Sequence, residues 1–339
     1  MINKRFLLCV GAVFVVNSHL EAFYPNRALA GDGLIGYGVF FFVAGLGLAL
    51  SSRQKMRPFH EYYWRRIARI YPTLWFITIA AAIARDLYYE PARMPFFHLK
   101  ITDYVFKFIW PTENTFVAPL MVCYIILYIL LRLRPPKSIL TAILILVAPF
   151  GWIWTIEHSY GGEIYTRPLG AWMWHIAYLQ VLLLGAWAGF HLPRSESLTK
   201  RRFAIDGAVF MLLLGIYIFA KYNFNSGVHR DLYPILFFFL AAMLWLLLRI
   251  ACNPQLARVL NALGPGALLI NLLGACCLEL YFVHVLLLPW PWLISLRFPL
   301  NILLLWVLLI PLSYLAERIV NWMKTAANFT NSKNLELSS

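Results

Sequence analysis

Apolar positions in this chain come in long unbroken runs, neither alternating nor spaced once per helical turn. Ten runs stand out, at 6–22, 33–50, 71–86, 116–133, 138–156, 169–191, 203–221, 232–251, 275–295 and 299–320. A helix rises about 1.5 Å per residue, so segments of this size reach across a hydrocarbon core of about 30 Å. A chain inside lipid must satisfy its own backbone hydrogen bonds, and the two-residue alternation of barrel strands is missing, so the runs are predicted to be helices. The expected fold is all-α: a polytopic membrane protein, a bundle of about ten transmembrane helices over residues 1–324. A polar tail, 325–339, is expected to be disordered.

Composition agrees with that class. The chain has 339 residues, 61% of them hydrophobic and only 13% charged, where a soluble domain averages about 25% charged. An N-terminal signal peptide is the rival reading of residues 1–30, since Lys4 and Arg5 precede an apolar stretch and Ala28-Leu29-Ala30 resembles a cleavage site. The apolar core ends near Val16, however, and His19, Glu21 and Arg27 intervene, which is too long and too polar a gap for such a site. A retained first helix is therefore expected.

The net charge of +14 would suggest nucleic acid in a soluble protein. Its distribution argues for another cause. With ten helices and the N-terminus inside, 20 of the 29 Lys and Arg residues fall on inner segments, six of them between Arg53 and Arg69. This is the positive-inside bias. It predicts an integral protein of a plasma membrane, the inner membrane of a bacterium, with both termini cytoplasmic. Membrane lipids are the expected surroundings, anionic headgroups are attracted as a by-product, and no nucleic-acid partner is expected.

Five cysteines (Cys9, Cys123, Cys252, Cys276, Cys277) lie in or beside apolar runs without metal-ligand spacing, so they read as packing residues and no metal is expected. Gly31, Gly33, Gly36, Gly38, Gly45 and Gly47 flank Phe40-Phe41-Phe42. No Gly-Lys-Ser/Thr follows, so this is not a phosphate loop; close helix packing is expected, or else a backbone lining a substrate passage. The stretch 254–272 with Gly264-Pro265-Gly266 reads as a broken, partly amphipathic cytoplasmic element. Tryptophans at 110, 152, 154, 172, 174, 290 and 292 fall near predicted outer ends, as an aromatic belt or as platforms for sugar rings.

Candidate chemistry sits at a few polar residues inside or beside the runs. His19, in Asn17-Ser18-His19, is expected inside the first helix, about 20 Å from its start. An imidazole there can take a proton from a hydroxyl and return it; alternatively it bonds a neighbouring helix or sits at the outer interface. Arg5, fourteen positions earlier, falls about 40° away around the same helix, as a functional partner or as a topological anchor. Arg66 and Arg69 share a helix face and can fork onto phosphate oxygens, which suits a phosphorylated cytoplasmic ligand such as a nucleotide or coenzyme A; the alternative is lipid-headgroup contact. Glu279, Tyr281 and His284 lie in one apolar run, where Glu279 needs a partner. They are either supporting residues of a site or an interhelical hydrogen-bond cluster.

These motifs together resemble the membrane acyltransferase family 3, the group of O-antigen and exopolysaccharide acetylases, over nearly the whole chain. The resemblance rests on Arg5 with His19; on Gly36-Tyr37-Gly38-Val39-Phe40-Phe41-Phe42-Val43-Ala44-Gly45; on Arg66-x-x-Arg69-Ile70-Tyr71-Pro72; on Leu280-Tyr281-Phe282-Val283-His284; and on Ser313-Tyr314-Leu315-Ala316-Glu317-Arg318. It implies transfer of an acyl group, usually acetyl, from cytoplasmic acyl-coenzyme A to a hydroxyl of a glycan or lipid-linked glycan at the far face. His19 matches the family's essential histidine. Arg66 and Arg69 match its arginine pair at the coenzyme site, with Arg5 as a further anion-binding candidate and Glu317 as a further supporting one. The spacing from Arg5 to His19 is longer than the family commonly has, Ala44 stands for its usual serine, and a Glu-Glu pair before the fourth helix is absent.

Two other classes fit ten helices: a transporter or flippase for a lipid-linked glycan or small metabolite, and a structural or assembly protein. The lack of an internal repeat and the arginine pair at the inner mouth count against transport.

Overall fold

The computed structural model describes residues 2–88, 100–111, 116–133, 135–159, 168–192, 198–225, 235–288 and 290–336. Among these residues the regular structure is helical throughout, without a strand. The principal helices are α1 (Lys4–Ser18), α2 (Gly33–Gln54), α3 (Phe59–Tyr88), a short α4 (Ile101–Tyr104) continued by a wider turn at Val105–Ile109, α5 (Val117–Arg132), α6 (Lys137–Ser159), α7 (Pro168–Phe190) and α8 (Lys200–Asn225). They are followed by α9 (Leu236–Cys252), α10 (Pro254–Ala262), α11 (Pro265–Ala275), α12 (Cys277–Leu287), α13 (Pro291–Ser295) and α14 (Leu300–Glu336).

The all-α, membrane-spanning class expected from the apolar runs is what the protein has, but the span count differs. By length and composition four described helices can each cross a membrane, at Arg27–Gln54, Phe59–Ile83, Lys200–Asn223 and Leu300–Thr325. The number rises to six if the broken pairs α9–α10 and α11–α12 each count as one. The run at 275–295 is cut into α12 and α13, and the first run yields a helix of only 15 residues. The last helix carries on through the polar stretch from Thr325, which the sequence assigns to a tail, as far as Glu336.

By contacts the chain divides into two compact units: Met1–Phe59 with Pro119–Ala275, and His60–Ala118 with Cys276–Ser339. In the first unit α2 is the central helix. Of its span 72% is buried, against 17% for the span of α8, so α8 turns most of its apolar surface outward (Met211, Leu212 and Phe219 are exposed), as a lipid-facing helix does. Sequence explains the packing of α2. A Cβ on Gly45 would overlap the Leu182 carbonyl oxygen of α7, and one on Gly185 of α7 would overlap the Phe42 carbonyl oxygen. A Cβ on Gly36 would overlap Val15 and the Gly11 carbonyl oxygen of α1. Gly274 of α11 meets the Arg5 carbonyl oxygen in the same way. Small residues let helices touch backbone to backbone, which is how helices associate where lipid removes the hydrophobic drive between them. The packing role expected of the α2 glycines thus holds at Gly36 and Gly45.

Arginines in the last turn of α2 and in the loop after it also tie helix ends. Arg53 donates to the Gly189 carbonyl oxygen at the end of α7, 3.0 Å away. Tyr128 and Arg132 of α5 donate to the Arg57 carbonyl oxygen at 3.3 and 3.2 Å. In the second unit, Tyr71 and Trp75 of α3 donate to the carbonyl oxygens of Ile109 and Phe108 at 2.9 and 2.8 Å, fastening the 101–109 segment to α3. Helices α12 and α14 pack on one another.

Gly45→Leu is expected to destabilise the folded protein by about 1–3 kcal/mol through overpacking. Gly47, with nothing within 4 Å of its notional Cβ, should tolerate Ala and gain up to about 1 kcal/mol from lower chain entropy. Thermal unfolding of the detergent-solubilised variants checks the opposite signs.

Candidate functional site

The sequence places His19 inside the first helix; the structure ends that helix at Ser18 and makes His19 its C-cap, with an exposed side chain. The cause lies in the two preceding polar residues. Ser18 turns its hydroxyl back to the Val15 carbonyl oxygen at 2.7 Å. Asn17 directs its amide away from the helix, donating to the carbonyl oxygens of Leu29 and Ala30 at 2.8 Å each. Such side chains compete with the helical backbone and favour its ends. The backbone N–H of His19 still bonds the Val16 carbonyl oxygen at 3.1 Å. The segment beyond, with short helical turns at Glu21–Phe23 and Arg27–Ala30, leads back to α2.

Arg5 lies in the first turn of α1 with an exposed side chain. Fourteen residues at 1.5 Å put it about 21 Å from His19 along the axis, at the opposite end of the helix. Both belong to the first unit. Arg66, Arg69, Glu279, Tyr281, His284 and Glu317 belong to the second.

In the second unit the cationic cluster of α3 is differentiated residue by residue. Arg65 pairs with Glu61 at 3.1 Å on an exposed surface, which contributes little. Arg66 rests over the Tyr62 ring, 5.2 Å from its centroid, in a cation–π arrangement. Arg69 is exposed and, among the described residues, forms no hydrogen bond or ion pair. Its field is felt by Cys277 and by Lys324. About one turn beyond Arg69 on α3, Thr73 is fully buried and donates its hydroxyl hydrogen to a carboxylate oxygen of Glu279 at 3.0 Å. Glu279 in turn interacts electrostatically with Glu317 and Lys324 of α14. The partner that the sequence demands for Glu279 is therefore Thr73, with charges of both signs around it.

Tyr281 and His284 are buried on α12. The Tyr281 ring contacts Phe116, Phe282 and His284, with centroids 5.0, 5.1 and 6.1 Å away. His284 places Nδ1 3.0 Å from the Leu280 carbonyl oxygen. A carbonyl only accepts, so Nδ1 is the donor in this contact. These contacts are those of a packed aromatic core. Glu317 accepts a hydrogen bond from Asn321 one turn along α14. Among the described residues no group of three or more His, Cys, Asp or Glu side chains could hold a metal ion.

A family model described as an acyltransferase domain matches residues 7–318. The chain belongs to acyltransferase family 3. No curated protein and no solved structure matches it. The match runs from α1 into α14, so it takes in parts of both units of this membrane acyltransferase. Thr73, Lys324 and the pairs Asp32–Lys221 and Asp206–Arg249 were not singled out from sequence. Two signals could have found the acids: Asp32 and Asp206 are buried, and a carboxylate beside or within an apolar run demands a partner. Thr73 and Lys324 carry no such signal.

Thr73→Val leaves the buried Glu279 oxygen without its donor and is expected to cost about 1.5–3 kcal/mol, read as a lowered thermal midpoint. Thr73→Ser, which keeps the hydroxyl, should retain most of the stability.

Proposed function

We propose that this acyltransferase takes an acyl group, acetyl in the first instance, from cytoplasmic acyl-coenzyme A and passes it to a hydroxyl of a glycan or lipid-linked glycan on the far side of the membrane. Beyond family membership, the observation that supports the donor half is the exposed Arg69, one turn from Arg66 on α3, which forms no hydrogen bond or ion pair among the described residues. Two guanidinium groups on one helix face suit phosphate oxygens, which each can bind through paired N–H donors. Lys324 adds positive potential beside Arg69. Arg5, exposed at the first turn of α1, is a further cation on the side assigned to the cytoplasm by the charge bias.

The acceptor half rests on His19. The hydroxyl oxygen of the acceptor bonds to the thioester carbonyl carbon, and His19 takes the hydroxyl proton. The carbon–sulfur bond then breaks, and the proton passes to the departing thiolate of coenzyme A. A neutral imidazole is suited to both proton movements. Exposure of the ring at the helix end leaves it open to an acceptor. Glu279, Tyr281, His284 and Glu317 support the architecture around the arginines. The inner membrane is the proposed location, with both termini cytoplasmic.

Two variants test the halves separately. His19→Ala should lower transfer from labelled acetyl-coenzyme A by about 10²- to 10⁴-fold in vesicles made from the cells that naturally express the protein, and should leave binding of the labelled donor intact. Arg66→Ala with Arg69→Ala should weaken donor binding by roughly tenfold or more per lost arginine. Full transfer by His19→Ala removes the base; undiminished binding by the double variant removes the docking role.

A further inference from the structure

Beyond α1 the chain must turn back to α2, and the turn is stitched at three levels. Asn17 holds the carbonyl oxygens of Leu29 and Ala30, and the Tyr24 hydroxyl donates to its side-chain oxygen. Ser18 abuts Gly33, where a Cβ would lie 2.8 Å from its hydroxyl oxygen. The third level reaches out of the turn altogether. Lys221, near the end of α8, donates to the Gly31 carbonyl oxygen at 2.7 Å and stands 3.6 Å from an Asp32 carboxylate oxygen. Tyr217, one turn earlier and fully buried, donates to the other Asp32 oxygen at 2.9 Å.

Asp32 is thus used three ways: it caps α2 by accepting from the Leu34 N–H at 3.1 Å, it pairs with Lys221, and it accepts from Tyr217. The side chains of Lys221 and Asp32 are 17% and 7% exposed, so the pair is shielded from solvent and costly to separate. An N-cap alone needs only one acceptor oxygen. The second oxygen and the lysine therefore serve something other than starting α2. What they join is α8 to residues 31 and 32, whose neighbours Leu29, Ala30 and Gly33 meet Asn17 and Ser18 at the end of α1. His19 is the next residue.

We propose that Asp32, Lys221, Tyr217 and Asn17 form a latch of positioning residues that fixes the turn bearing His19 and so sets the direction of its imidazole. The inference rests on the reading of His19 as the proton acceptor. A base must meet its hydroxyl within hydrogen-bond reach, and misplacement by about 1 Å costs as much as 10²-fold in rate. The latch residues belong to the first unit and the arginines assigned to the donor to the second, so loss of the latch should lower turnover without changing donor affinity.

The test compares Lys221→Met, Asp32→Asn and Tyr217→Phe with His19→Ala, measuring coenzyme A release from acetyl-coenzyme A in vesicles from the cells that naturally express the protein. Asp32→Asn keeps an oxygen for the α2 cap and loses the charge together with the second acceptor oxygen, the one that Tyr217 uses. Lys221→Met and Asp32→Asn should each lower kcat by about 10- to 100-fold, Tyr217→Phe by less, all with KM for acetyl-coenzyme A unchanged. Lys221→Arg should restore most of the turnover. Amide hydrogen exchange across residues 19–31 should quicken in Lys221→Met and recover in Lys221→Arg. Wild-type kcat in Lys221→Met beside an inactive His19→Ala overturns the latch and leaves the base in place. A loss of turnover that tracks a lowered thermal midpoint, with no rescue by arginine, also overturns it, since that is the signature of a purely structural pair. Full activity of His19→Ala instead strikes the base itself, and is distinguishable from either result.

Discussion

A carboxylate that leaves water for the interior of an apolar bundle must be met by a donor or a cation, and this requirement organises the protein. Asp32, Asp206 and Glu279 are the buried acids among the described residues. Each is met from a different helix: Asp32 by Tyr217 and Lys221, Asp206 by Arg249 at 3.0 Å, Glu279 by Thr73. Desolvating an unpaired charge costs far more than one hydrogen bond returns, so each meeting holds two helices in a defined register. Apolar packing alone, between helices whose surroundings are equally apolar, would leave them freer to slide.

The glycines act on the same helices through geometry. At Gly36, Gly45, Gly185 and Gly274 a side chain would enter the backbone of a neighbour. The central position of α2 follows from these contacts, and the α2 cap at Asp32 is carried to a fixed place beside the end of α1. Polar pairing then ties that place to α8, which is otherwise mostly turned outward. In the second unit the same logic joins α3 to α12 through Thr73 and Glu279, below the arginines of α3.

Much of this was legible in the chain. Long apolar runs announced helices in lipid, and the run from Trp64 to Pro72 with its arginines carried the family resemblance that the domain match bears out. The need of Glu279 for a partner was also legible, because an acid in an apolar run has no other way to be stable. The identity of that partner was not: Thr73 lies 206 residues away, and a threonine in a helix is silent. The length of the first helix was misjudged for a local reason. Asn17 and Ser18 are compatible with a helix interior by hydropathy, but their side chains capture loop and backbone oxygens and stop it. The count of ten spans is not confirmed among the described residues, since apolar length does not reveal where α11 gives way to α12, or α12 to α13.

The sequence by itself determined the solvent this protein folds in, the helical class, the uneven sharing of cations between loops, and membership of an acyltransferase family, because these depend on residue type and order along the chain. Only the tertiary structure decided that His19 stands at a helix end rather than within one, that Lys221 and Tyr217 converge on Asp32, and that Thr73 supplies the hydrogen bond of Glu279. Those outcomes depend on which distant segments meet, and residues some 190 positions apart are brought together by the packing of whole helices, which no local pattern encodes.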